Sequence, residues 1–108
     1  MKLLTKKILA AFQKQGDTTA KSCKNTRIIA KYFSPCSSYT WYAAEYDSST
    51  RMFYGFISVG DLRCDGLGSF SLLEFKNITL PGRLKIERDK FFEPGKYSLK
   101  DILDGKRP

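Results

Sequence analysis

Thr40-Trp41-Tyr42-Ala43-Ala44-Glu45-Tyr46-Asp47, then Ser48-Ser49-Thr50, then Arg51-Met52-Phe53-Tyr54-Gly55-Phe56-Ile57-Ser58-Val59: these twenty residues decide the fold. Two runs rich in aromatic and β-branched residues flank a few small polar ones. That connection is too short for a parallel crossover, so the runs read as an antiparallel hairpin. Strand alternation sets Trp41, Ala43 and Glu45 on one face and Tyr42, Ala44 and Tyr46 on the other. On the next strand Phe53, Gly55, Ile57 and Val59 oppose Met52, Tyr54, Phe56 and Ser58. Rings therefore fall on both faces, and one helix cannot cover two faces. Either later segments cover the second face or it is a partly exposed aromatic surface.

Upstream, Thr26–Phe33 reads as a strand and Ser34-Pro35-Cys36-Ser37-Ser38 as a turn. Thr5 is placed to cap a helix in which Ile8, Ala11, Phe12 and Gln15 recur at helical spacing, ended by Gly16-Asp17. Leu3 and Leu4 precede the cap and can staple it. This helix suits either core packing or a membrane surface. Downstream, Leu67–Phe70 reads as a short strand, and Ser71 with Glu74 has capping-box spacing for a helix over 72–75. Pro81-Gly82 marks a turn, Leu84-Lys85-Ile86 an edge strand, and Phe91-Phe92 a return to the core. Ser98 and Asp101 have the spacing that opens a last short helix, and the tail from about residue 104 is expected to fray. The expected fold is a single α+β domain over 1–108: an antiparallel meander of about four strands with an N-terminal helix and short C-terminal helices.

The 108 residues include no histidine, which excludes Ser-His-Asp and Cys-His catalysis and histidine metal sites within the chain. Cys23, Cys36 and Cys64 are widely spaced and odd in number, so neither a disulfide framework nor a zinc site is indicated. Cys36, in a loop, has no histidine to activate it as a nucleophile. No cofactor or metal motif occurs. No apolar run approaches the length of a membrane span, and Lys6 and Lys7 interrupt any signal-like start, so a cytoplasmic protein without membrane association is expected.

The net charge of +8 is uneven. Residues 1–31 hold eight Lys or Arg against Asp17 alone, residues 32–75 are mildly acidic, and residues 76–108 are basic again. Basic ends around an aromatic sheet suit either a polyanion footprint or simple solubility charge. Arg51 to Val59 superficially resembles the signature strand of single-strand RNA binders, but Met52 and Gly55 stand where that signature wants Gly and Phe. Trp41 and Tyr54 are candidate contact rings. Glu45, Glu74, Glu87 and Asp89 form a candidate acidic set, able to do hydrolytic chemistry or hold a divalent ion if the fold brings them together. The structural alternative has Glu74 capping its helix and Arg88 pairing with a carboxylate such as Glu45.

Several segments, taken in order, resemble the bacterial domain-of-unknown-function family 2958. They include Ala30-Lys31-Tyr32-Phe33-Ser34-Pro35, Thr40–Asp47, Phe53–Phe56, Gly68–Glu74 and Ile86-Glu87-Arg88-Asp89-Lys90-Phe91-Phe92-Glu93-Pro94. By that resemblance Trp41, Glu45, Glu74, Glu87, Arg88 and Asp89 match the family's motif positions. The resemblance implies a small protein of plasmids and integrative conjugative elements and supplies no activity. The Lys-rich 14–25 stretch and the basic tail depart from it. The expectation is a non-enzymatic accessory protein with a protein partner. A single-strand nucleic-acid module and a carboxylate-based hydrolase are the alternatives.

Overall fold

The computed structural model describes residues 2–61 and 63–108. Helix α1 (Lys6–Gln15) precedes strands β1 (Ala30–Phe33), β2 (Thr40–Asp47), β3 (Met52–Ser58) and β4 (Gly66–Ser71). Then come α2 (Leu72–Asn77), a 3-10 turn (Pro81–Arg83), β5 (Glu87–Arg88) and α3 (Leu99–Leu103). The strand order is β4-β3-β2-β1-β5 with every neighbouring pair antiparallel, so the expected α+β meander is present with a fifth strand at one edge. That fifth strand falls on Glu87–Arg88 rather than Leu84–Ile86. The Leu84 carbonyl instead accepts the Leu80 N–H at 2.8 Å and closes a local turn, while Ile86 is drawn into the core. β1 is shorter than expected because residues 26–28 pair elsewhere. Ile28 donates to Tyr97, Leu99 donates to Thr26, and Arg27 bridges Ser98.

Local chemistry accounts for the helix ends. The Thr5 hydroxyl accepts the Ile8 N–H, and Gly16 ends α1 at φ 64°, a conformation that disfavours any side chain. Ile8 and Phe12 drive α1 onto the sheet, so it is a core-packing helix. Ser98 and Asp101 form a reciprocal capping box at the start of α3. At α2 the Ser71 hydroxyl accepts the Glu74 N–H.

The face assignment of β2 changes at a β-bulge between Ala43 and Glu45. One extra residue reverses the alternation that follows it. Tyr46, not Glu45, joins Trp41 and Ala43 on the α1 side, where its ring meets Phe12 and Phe53 at 6.0 and 4.9 Å. Glu45 turns to the other side and stands opposite Tyr54. Gly55 makes the bulge possible: a Cβ there would collide with the Tyr42 carbonyl. Gln15, at the end of α1, caps the irregularity. Its amide donates to the Ala44 carbonyl (2.6 Å) and to the Arg27 carbonyl (2.8 Å), and its oxygen accepts the Arg27 N–H (2.8 Å).

Two cores result. α1, α2 and the Leu3–Leu4 segment cover Tyr32, Ala43, Phe53 and Phe70, while α3 covers Tyr42, Ala44 and Phe56. Most rings of the sheet are thus enclosed, with Tyr32, Phe53 and Tyr42 at most 2% exposed, while Trp41 is half-buried and Tyr39 and Tyr54 are exposed. Later segments bring enough apolar side chains to cover the second face. Phe91 does not return to the core; it is 96% exposed. The Asp89 side chain accepts the Phe91 N–H at 2.9 Å, and the tight turn aims only Phe92 inward. The tail folds back. Arg107 lies 4.9 Å over the Phe56 ring and donates to the Ile102 carbonyl at 2.6 Å, and the Tyr42 hydroxyl donates to a main-chain oxygen of Pro108.

Candidate functional site: a cationic groove beside the second helix

The N-terminal segment ahead of α1 is held against the sheet by two main-chain contacts. The Tyr32 hydroxyl donates to the Leu3 carbonyl at 2.7 Å, and Arg88 Nε donates to the Lys2 carbonyl at 3.1 Å. Burial pushes the Tyr32 hydroxyl pKa far up, so it stays protonated as the donor this contact needs. Arg88 therefore anchors the start of the chain, in place of the suggested partnership with Glu45.

Beside this anchored segment runs a groove of about 800 Å³. Leu3, Leu72, Phe75 and Ile86 are buried at its floor, and Leu4 and Tyr46 are half-buried. Five exposed cations line it: Lys2, Arg51, Lys76, Arg83 and Lys85. Glu87 is the one carboxylate among the described lining residues. None of the five cations forms a salt bridge among the described residues, and Lys85 donates to the Thr79 hydroxyl. Elsewhere carboxylates do neutralise bases, as in Lys31–Asp89 and Arg107–Asp65. The groove thus keeps its positive charge over an apolar floor.

Two of the cations sit on unusual backbone. Arg51 (φ 57°) and Arg83 (φ 61°) are the described non-glycine residues with positive φ, and both line this groove. Each closes a turn. Arg51 donates its N–H to the Asp47 carbonyl at 2.7 Å, and Arg83 follows Pro81-Gly82. The left-handed region costs a side-chain-bearing residue about 1 kcal/mol, and glycine or asparagine is its usual occupant. Sequence reasoning missed both arginines. The available signal was a long cation at the turn position where Gly or Asn is expected.

The sequence-derived site residues are dispersed. Trp41 packs edge-on against Phe75 at 4.8 Å on the α1–α2 side. Glu45 and Tyr54 face each other on the opposite side, where the Glu45 carboxylate accepts the Thr18 hydroxyl at 2.8 Å and both line a separate 480 Å³ cleft. Glu74 is exposed on α2. Glu87 and Arg88 form β5, and Asp89 follows, tied to Lys31 at 3.6 Å. Two inter-strand steps and several residues of rise separate Glu45 from Glu87 by roughly 15–20 Å, beyond the reach of a hydrolytic carboxylate pair. Among the described residues no group of three His, Cys, Asp or Glu side chains is arranged to hold a metal ion.

No helix among them is long and apolar enough to cross a membrane. Neither a curated protein nor a solved structure matches the chain. A family model described as "Protein of unknown function (DUF2958)" matches residues 3–103, from the anchored N-terminal segment through α3. The chain belongs to that family of proteins of unknown function.

Proposed function

We propose that the chain is a non-catalytic binding protein, accessory to a mobile genetic element, that engages an anionic macromolecule through the cationic groove beside α2. The observation that carries this reading is the set of five cations that have no ion-pair partner among the described residues and lie over an apolar floor. A surface that merely needed solubility would have no reason to cluster unneutralised cations around apolar side chains. The mobile-element setting rests on the family resemblance. In this reading the partner is a host- or element-encoded macromolecule, the role is host-defence modulation or DNA transfer, and the protein acts in the cytoplasm. No cofactor is needed for such a role.

The test is a titration of labelled polyglutamate and labelled single-stranded DNA at low and at physiological salt. The reading expects binding of at least one probe, steeply weakened by salt and weakened further in the Lys76→Glu/Arg83→Glu variant. Absence of binding at low salt, or binding indifferent to that charge reversal, contradicts it.

A further inference from the structure

We infer that the occupant of the groove is an extended acidic protein segment carrying aliphatic side chains, an inference that rests on the binding reading above. Charge complementarity selects an anionic occupant, since among the described lining residues five cations face one carboxylate. The floor then discriminates between acidic protein and nucleic acid. Single-stranded nucleic acid gains much of its affinity by stacking bases on exposed rings. The rings in this groove cannot serve. Phe75 is buried among Tyr32, Trp41 and Phe70, and Tyr46 is engaged with Phe12 and Phe53. The exposed rings Tyr39, Tyr54 and Phe91 lie outside the groove lining. What the groove offers instead is aliphatic: half-buried Leu4, and Leu84, which is 43% exposed, beside the buried Leu3, Leu72 and Ile86. Leucine or isoleucine side chains of a partner can be buried there while its carboxylates reach the guanidinium forks of Arg51 and Arg83.

The left-handed backbone at those two arginines supplies a clean probe. Glycine is at home at φ 57° and 61°, so Arg51→Gly with Arg83→Gly removes both guanidinium groups without strain on either turn. Three labelled ligands are titrated against the wild type and this double variant. They are a short peptide of Asp, Glu and Leu, the same peptide with serine in place of every leucine, and single-stranded DNA of matched charge.

The expected result is binding of the leucine peptide at least about tenfold tighter than of the serine peptide and of the DNA. The double variant should lose about tenfold in affinity for the leucine peptide with its thermal midpoint little changed. Lys76→Glu, on the exposed face of α2, repeats the affinity loss if the double variant fails to fold. Equal binding of the two peptides overturns the inference. Tighter, arginine-dependent binding of DNA overturns it too, while leaving the binding reading intact. Absence of arginine-dependent binding by all three ligands overturns both.

Discussion

The Gln15 side-chain amide donates to the Ala44 carbonyl at 2.6 Å, so the last turn of α1 satisfies the residue at which β2 leaves its ladder. Its oxygen meanwhile takes the Arg27 N–H, which fixes the amide orientation. Gln15→Ala should strand two carbonyls and one N–H in partly buried positions and cost about 2 kcal/mol. Gln15→Glu should be at least as harmful above the carboxylate pKa, because the oxygen that replaces the amide nitrogen would face the Ala44 and Arg27 carbonyls. Chemical denaturation of both variants checks this. A loss confined to Gln15→Ala would show that volume, not donor chemistry, matters there.

Gly55 lies opposite Ala43 in the ladder and beneath the Tyr42 carbonyl. A methyl group at this position has no space and no flexible neighbour to push aside. Gly55→Ala should destabilise by about 3 kcal/mol or more, read as a shifted denaturation midpoint. Gly66→Ala, in the same sheet with open space around it, is the matched control and should change little.

Asp65 is held below its ordinary pKa of 3.8, first by the Val59 N–H at 2.7 Å and further by the Ser58 hydroxyl and Arg107. A carboxylate with a depressed folded-state pKa adds stability that is complete above the unfolded value and is lost as pH falls through the folded one. The stability gap between wild type and Asp65→Asn should therefore be full at neutral pH and close below about 3.8. Thermal melts across that range measure it. A gap that persists undiminished at lower pH would rule out the carboxylate charge as its source.

Arg107 covers the Phe56 ring and reaches the Ile102 carbonyl and Asp65. Arg107→Ala should cost about 1 kcal/mol and lower the thermal midpoint by roughly 4–6 °C. Differential scanning calorimetry decides between this docked tail and a solvated one, for which the midpoint would not move.

Sequence periodicity was enough for the hairpins, the N-terminal helix and its Thr5 cap, because each depends on residues close in the chain. It misassigned Glu45 and Tyr46, since nothing in Tyr42-Ala43-Ala44-Glu45 marks the inserted residue. The bulge is set by Gln15, twenty-nine positions upstream of Ala44, and by the missing side chain at Gly55. Phe91 and Phe92 look alike in sequence, and only the Asp89 turn decides which ring is solvated. The groove was illegible for a related reason. Its cations come from the N-terminal segment, the β2–β3 turn, α2 and the turn before β5. Composition revealed the surplus charge, but only the anchoring of Lys2 and Leu3 by Arg88 and Tyr32 shows where it gathers.

Amide NMR spectra recorded while an acidic leucine-containing peptide is added to the protein test the groove most directly. The account predicts that the largest shifts fall on Leu3, Leu4, Arg51, Lys76 and Arg83–Ile86, with Tyr54, Leu67 and α3 unmoved. Shifts centred on Tyr54 and Leu67, or spread evenly over the basic surface, would contradict it.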